Sequence, residues 1–419
     1  MHVVVAGGGL AGLVAARHLA EAGAEVELFE EREEVGGRVR SRTVDGFTLD
    51  RGFQVLFTAY PAARRELDLD ALNLRRFAPG ATIARPNHRS TLSDPLGQPS
   101  AAVPTLLNRD VRTGDKLRLF RLQRELKRRE WGTLFDGDDT SIREYLAAEG
   151  FSKAFVENFA APFYGGITLD RSLSTSSHVF EYTFKALSEG ETVVPAAGMG
   201  AIPAQLRRRA ETAGATIQTG TGVTGVDADG DEVTVEAGGE TRRPDAVVVA
   251  TDPKSAGDLA DIETPTEAKA CVTVHCSVPD HQTLDTGSRI LLNADDDRPN
   301  TVAPMSAAAS EYAPEGRDLL SATFLGEQDD DDEELVETVR EALDSWYPEN
   351  HFGELEAVAV DRIEFAQFAQ PPGFRSSLPG VDAPEGPVYL AGDYTQWSSI
   401  QGALESGKRA ADAVLADDD

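Results

Sequence analysis

MHVVVAGGGLAG, Met1 to Gly12, is the stretch that decides the fold. His2 to Ala6 is a short apolar run rich in β-branched valine, which reads as a buried strand. Gly7-x-Gly9-x-x-Gly12 follows at once, and Leu13, Ala16, Leu19 and Ala20 then recur at helical spacing. In such a strand–turn–helix the three glycines have separate tasks. Gly7 permits the tight turn, Gly9 lets a pyrophosphate approach the backbone, and Gly12 lets helix and strand pack closely. The phosphates then meet free N–H groups at a helix N-terminus, where the peptide dipole favours negative charge.

A second strand is expected over Glu25–Glu30. It ends in an acid 23 residues after Gly7, close to the spacing of about 20 at which a carboxylate reaches a ribose hydroxyl. Three glycines alone are a weak signal in a chain that has 38. The preceding strand, the following helix and Glu30 together make a dinucleotide site. Only one such fingerprint is present: Gly198-Met199-Gly200 runs into Ala201-Ile202-Pro203, which breaks the pattern. No separate nicotinamide-binding domain is expected.

Charge and composition bound the rest. The 419 residues suffice for two or three domains. The net charge is −31, and lysine stands only at Lys116, Lys127, Lys153, Lys185, Lys254, Lys269 and Lys408, so most basic residues are arginine. Excess acid with scarce lysine resembles adaptation to concentrated salt, where screening is strong. Such a field argues against nucleic acid as a partner. The two cysteines, Cys271 and Cys276, lie five apart in CVTVHC. Strand alternation sends them to opposite faces, so they cannot bridge within it. His275 between them lacks zinc-site spacing, and no metal is expected. The fold begins at residue 3 and no long apolar run occurs, so the expectation is a cytoplasmic protein without a signal or membrane span.

The fold class expected is α/β: a Rossmann-like parallel-sheet domain with an inserted, discontinuous α+β substrate domain. The dinucleotide domain is assigned residues 1–60, 190–270 and 376–419. The substrate domain takes 61–189, mainly helical with few strands, and 271–375, a mixed sheet. Within the latter, strands are expected over 271–276, 288–293, 318–325 and 356–363, with one helix near 334–346. One helical stretch, 109–130, holds nine basic against four acidic residues, interleaved with Leu119, Phe120, Leu122 and Leu126. It reads as a basic amphipathic helix, pairing with the protein's own acidic surface or touching a membrane as a peripheral contact.

Three further motifs complete the reading: EEREEVGGRVRSRT (30–43), GFTLDRG (46–52) and VYLAGDYTQWSSIQGALESGKRAA (388–411). Together with the first glycines, they resemble the flavin amine oxidase superfamily, which includes protoporphyrinogen oxidases and carotenoid desaturases. The resemblance runs the whole length in order. It implies non-covalent FAD, with Gly7, Gly9, Leu10, Ala11 and Gly12 at the pyrophosphate and Glu30 at the adenosine ribose. Gly37 and Arg38 would meet the phosphates and ribityl, Gly52 would lie along the flavin, and Val223 would meet adenine through its backbone. Gly392 and Asp393 form a second anchor, with Ser399 and Ile400 beside it. Gly402 is taken to open the final helix, whose dipole would favour a reduced flavin.

AGDYT (391–395) looks most like the carotenoid desaturases. At the position where amine oxidases place a cage aromatic stands Ser399. Lys269 resembles the lysine that holds a water near flavin N5 in those enzymes, although a surface lysine is the simpler reading. PFYGGITLDRSLSTSS (162–177) resembles a substrate-domain loop, with Phe163 and Tyr164 as contacts and Gly165-Gly166 allowing close approach of a ligand. Trp397 is a third candidate substrate contact, and no catalytic residue is assigned. The function expected is FAD-dependent desaturation of an apolar, prenyl or carotenoid-type substrate by hydride transfer to flavin N5. An amine oxidase or protoporphyrinogen oxidase-like enzyme is the alternative within the class, and a non-catalytic electron carrier the alternative outside it.

Overall fold

The first strand, His2–Ala6, takes the central place in a five-stranded sheet. Its order is Thr216–Gln218, Glu25–Phe29, His2–Ala6, Ala246–Val249 and Val388–Leu390, and every pairing is parallel. Val3, Val4 and Val5 are fully buried, as are Val247 to Val249, so these strands read as continuous apolar runs rather than alternating ones. Helix Leu10–Glu21 packs against helices Ala201–Ala213 and Ile400–Asp417. The last crossing is close because Gly407 sits where a Cβ would stand 2.2 Å from the Ala11 carbonyl oxygen. Segments almost 400 residues apart thus share one core. The structure, a computed structural model, describes residues 1–92, 112–282 and 284–417.

A second, seven-stranded mixed sheet has the order Glu356–Phe368, Ala268–Pro279, Arg317–Leu325, Thr301–Pro304, Ile290–Asn293, Ala81–Arg85 and His88–Leu92. Helix Asp332–Trp346 covers one face, burying Val272, Val274, Cys276, Ala322 and Phe324 against Leu335, Val339 and Leu343. The helix starts cleanly: the Asp331 side chain accepts from the Glu334 N–H, in a capping box. Alternation leaves Thr273, His275, Ser321 and Thr323 on the other face, towards the first domain. Cys271 and Cys276 fall on opposite faces and both are free thiols.

Residues 61–189 are mainly helical with few strands, and two of those strands, Ala81–Arg85 and His88–Leu92, form one edge of the seven-stranded sheet. Two expectations need correcting. Residues 162–177 are not a loop: Ala161–Thr168 is helical and ends at Leu169 in a left-handed conformation. There Gly165 makes room for the returning chain at Arg171, because a Cβ would lie 2.9 Å from the Arg171 Cα. Finally, the last helix opens at Ile400, two residues before Gly402, and Ser399 Oγ accepts from the Gly402 N–H at 2.8 Å.

Candidate cofactor and substrate site

The glycine turn leaves the first strand at Gly7, whose φ of +109° suits only glycine and whose N–H donates to the Phe29 carbonyl. Gly12 lies against that turn so tightly that a Cβ would stand 2.0 Å from the Gly7 oxygen. At Gly9 the situation reverses: a Cβ there would meet nothing within 4 Å, because the position faces open space. Gly9 is also the helix N-cap and brings no side chain to the first N–H groups, those of Leu10 and Ala11. An anion-sized opening beside unpaired helix N–H groups is what a pyrophosphate requires.

Glu30 is 5 % exposed and lines the same opening. Its carboxylate is aimed by two backbone donors, Gly8 N–H at 2.7 Å and Arg32 N–H at 3.0 Å. Free lone pairs remain for ribose hydroxyls. The Gly36-Gly37 turn closes over the first: Gly36 N–H bonds the Gly8 carbonyl, and a Cβ on Gly37 would lie 3.4 Å from the Gly9 Cα. Val223 lines the cavity next to this end, held near Glu30 by the Thr221 N–H bond to the Glu30 carbonyl.

Arg38 and Asp393 come together across 355 residues of chain, at 2.6 Å. Arg38 also donates to the Ala366 carbonyl at 3.2 Å, while Asp393 accepts from Ser398 Oγ at 3.0 Å. This bridge ties the second glycine loop to the segment before the last helix. Gly52 follows strand Phe47–Asp50 and lies against the seven-stranded sheet. A Cβ there would be 2.8 Å from Ile363 Cδ1 and 3.6 Å from Thr273 Oγ1. All the cofactor candidates except Gly12 line one cavity, whereas Gly12 packs the turn itself.

That cavity has a volume of about 2190 Å³. It runs from Gly9 and Glu30, past Arg38, Gly52 and Asp393, to an aromatic wall of Phe155, Phe159, Phe163, Tyr164, Phe180 and Phe184. Phe159 and Phe163 stack at 5.2 Å between ring centroids, as do Phe180 and Phe184 at 5.7 Å. The first three phenylalanines rise from a helix with a π-helical turn at Val156–Ala160, a rare geometry found often at functional sites. Trp397 also lines the cavity, with Tyr182 and Tyr60 edging its ring. Sequence reading found Phe163, Tyr164 and Trp397 but missed Phe155, Phe159, Phe180 and Phe184. The four-residue spacing of Phe151, Phe155, Phe159 and Phe163 was the available signal.

On the sheet side the cavity is bordered by Cys271, Thr301, Thr323 and Ile363. Burial pushes the Cys271 thiol up to about 11, so it stays protonated near neutrality. Lys269 instead faces Asp170, 3.7 Å away. Behind the sheet surface, burial raises the Asp50 carboxyl, although Ser41, the Met199 N–H and Tyr312 all bond it.

A parallel sheet with a glycine-turn dinucleotide cradle, opening into a large apolar cavity, defines a flavin-type oxidoreductase. The residues fit the cofactor: room at Gly9, unpaired helix N–H groups and an oriented Glu30 suit the pyrophosphate and ribose of FAD. Residues 10–415 match the family of flavin containing amine oxidoreductases, and the chain belongs to it. It is therefore a flavin-dependent oxidoreductase, and non-covalent FAD is its cofactor. The chain is 29 % identical over 286 residues to phytoene dehydrogenase of Streptomyces griseus, covering 60 % of this chain and 54 % of that protein. The match thus spans about half of that relative's length. A shorter match, 54 % identical over 50 residues, joins it to carotenoid 3,4-desaturase of Haloarcula japonica, covering 12 % of this chain and 10 % of that one. Among solved structures, an oxidoreductase from Methanosarcina mazei superposes with a TM-score of 0.76 at 19 % identity, covering 98 % of this chain and all of that one, a likeness of fold.

Proposed function

We propose that the protein desaturates an apolar, prenyl-derived substrate of the carotenoid-precursor type, with dioxygen, a quinone or a carrier protein as the final electron acceptor. The observation that carries this reading is the continuity of the aromatic-walled cavity with the dinucleotide cradle. FAD, when bound, supplies a hydride acceptor at N5. The chain's own part is to hold and exclude. Gly9, Glu30, Gly37 and the Arg38–Asp393 pair fix the cofactor, and stacked phenylalanines present a flat, dry surface to an extended ligand. Two observations favour this reading over an amine oxidase. Lys269 is engaged by Asp170, and Ser399, at the cage-aromatic position, caps a helix. A pure electron carrier would have no use for a substrate-sized cavity.

Access for such a substrate is proposed at the basic helix, where Lys116, Leu117 and Phe120 border the cavity. Docking there against anionic lipid would deliver an apolar molecule without passage through water. No helix among the described residues is long and apolar enough to cross a membrane, so the contact would be peripheral. The deciding experiment for the chemistry is anaerobic addition of acyclic isoprenoid polyenes to the holoenzyme. Bleaching of the flavin band is expected. Bleaching by primary amines, with none by isoprenoids, would overturn the reading.

A further inference from the structure

We infer that Arg51 is an anchoring cation for the negative charge that FAD brings into the cavity. The inference concerns the cofactor and is independent of the substrate reading above. Four other arginines lining the cavity already meet a carboxylate: Arg32 with Glu31 at 3.4 Å, Arg38 with Asp393 at 2.6 Å, Arg76 with Glu191 at 2.7 Å and Arg362 with Asp332 at 2.8 Å. Arg51 lines the same cavity and is half-buried, yet among the described residues its guanidinium has no carboxylate or hydrogen-bond acceptor. Its nitrogens are not sealed inside the protein, as the Nε atom of Arg340 is. In a chain of net charge −31 acids are plentiful, but none has been placed on this cation.

The backbone fixes where Arg51 stands. Its N–H donates to the Arg40 carbonyl at 2.9 Å, and Gln54 Nε2 donates to both the Arg38 and Arg51 carbonyls at 2.9 Å. Arg51 is thus tied to the loop that carries the Arg38–Asp393 bridge. Towards the sheet wall, burial holds the Cys271 thiol up and the Arg51 charge opposes it, so the guanidinium lies near the part of the wall that Cys271 borders. On the other side stands Arg40, whose hold on its proton is lowered by burial first, then by Arg51 and Arg32. Like charges crowd here, and neither Arg40 nor Arg51 forms an ion pair among the described residues. Arg38 does not supply a free charge, because Asp393 neutralises it and the Ala366 carbonyl takes a second nitrogen. An open guanidinium forms its strongest bonds with an anionic acceptor. FAD offers two: a diphosphate, charged in both redox states, and an isoalloxazine ring that gains negative charge on reduction.

The test titrates apoprotein with oxidised FAD and measures the midpoint potential of the holoenzyme by dye equilibration, in wild type and in Arg51→Gln. If the diphosphate is the partner, Arg51→Gln weakens oxidised FAD by about tenfold, the scale of a charge-assisted hydrogen bond, and leaves the potential unchanged. If the reduced ring is the partner, oxidised FAD binds as in wild type and the potential falls by about 30 mV, the same tenfold applied to the reduced form alone. Arg51→Lys should recover most of either effect. The Arg51→Gln apoprotein should melt no lower than wild-type apoprotein, since Arg51 has no bonded partner to lose. A clearly lower melting temperature would make Arg51 a structural residue and overturn the inference. Unchanged affinity with unchanged potential would overturn it as well. So would an equal effect in Lys254→Gln, an exposed cation on the same lining, because the effect would then belong to the general field of the cavity.

Discussion

Gly9 and Gly12 belong to one turn but answer to different partners. A side chain at Gly9 would enter open space, whereas one at Gly12 would drive into the Gly7 carbonyl. Gly9→Val should therefore fold normally, with unchanged melting and circular dichroism, and emerge colourless because valine occupies the pyrophosphate's place. Flavin absorbance at wild-type stoichiometry in that variant would contradict the cradle. Gly12→Ala should lose roughly 1–3 kcal/mol of folding stability from overpacking, measured by urea unfolding. The turn geometry of Gly7, Gly9 and Gly12 and the place of Glu30 beside it were legible in the sequence because strand, turn, helix and acid lie within 30 residues. The Arg38–Asp393 pair was not: each residue was expected to meet the cofactor, but nothing local to either announces the other.

At the scale of the element, helix Thr113–Leu126 shows how an apolar set divides. Leu119, Phe120, Leu122 and Leu126 read together as one face; residues 109–111 of that stretch lie outside the described residues. In the fold, Leu122 and Leu126 are 1 % and 0 % exposed and enter the core, and Lys185 Nζ donates to the Leu126 carbonyl at 2.8 Å. Part of the basic surface pairs with the protein's own acids, Arg121 with Glu149 and Arg129 with Glu181. Leu117 and Phe120 remain, 68 % and 49 % exposed at the cavity rim. Leu122→Asp should cost about 3 kcal/mol or more, since it buries a charge without a partner. Leu117→Ser with Phe120→Ser should leave melting unchanged yet abolish flotation with anionic liposomes. Equal flotation by wild type and this double variant would end the membrane proposal.

Strands Ser41–Val44 and Glu356–Phe368 are joined by Arg42 and Asp361, 2.8 Å apart. Burial alone would raise the Asp361 carboxyl, but bonds from His275 and Arg42 hold it down at about 2. A depressed acid stabilises the fold above its unfolded pKa, and that contribution disappears as pH falls through the folded value. The window runs from about pH 4 to about pH 2. Asp361→Asn should remove an acid-dependent contribution of at most about 2 kcal/mol. The check is the difference in urea midpoint between wild type and variant on moving from about pH 5 to about pH 3. Identical pH slopes would show that the pair contributes nothing to stability.

For the whole molecule, the net charge of −31 sets the conditions under which both sheets stay together. Self-repulsion weakens a compact state, and it is screened over about 10 Å at 0.1 M salt but about 3 Å at 1 M. The melting temperature should therefore rise steadily with potassium chloride over that range, with FAD retained better at the upper end. A flat or falling profile would refute the high-salt reading of the composition.

The sequence by itself determined the dinucleotide unit, the family and several helices and strands, because each is written in residues adjacent along the chain or repeated at a helical or strand period. It could not determine the cavity. Periodicity tells which face of an element is buried but not what it is buried against. Gly52 acquires its neighbours Thr273 and Ile363 only when two sheets from distant segments meet. For the same reason Phe155, Phe180 and Thr323 become walls of one chamber only in the tertiary structure, which brings a π-helical turn, a neighbouring helix and a strand to the same space.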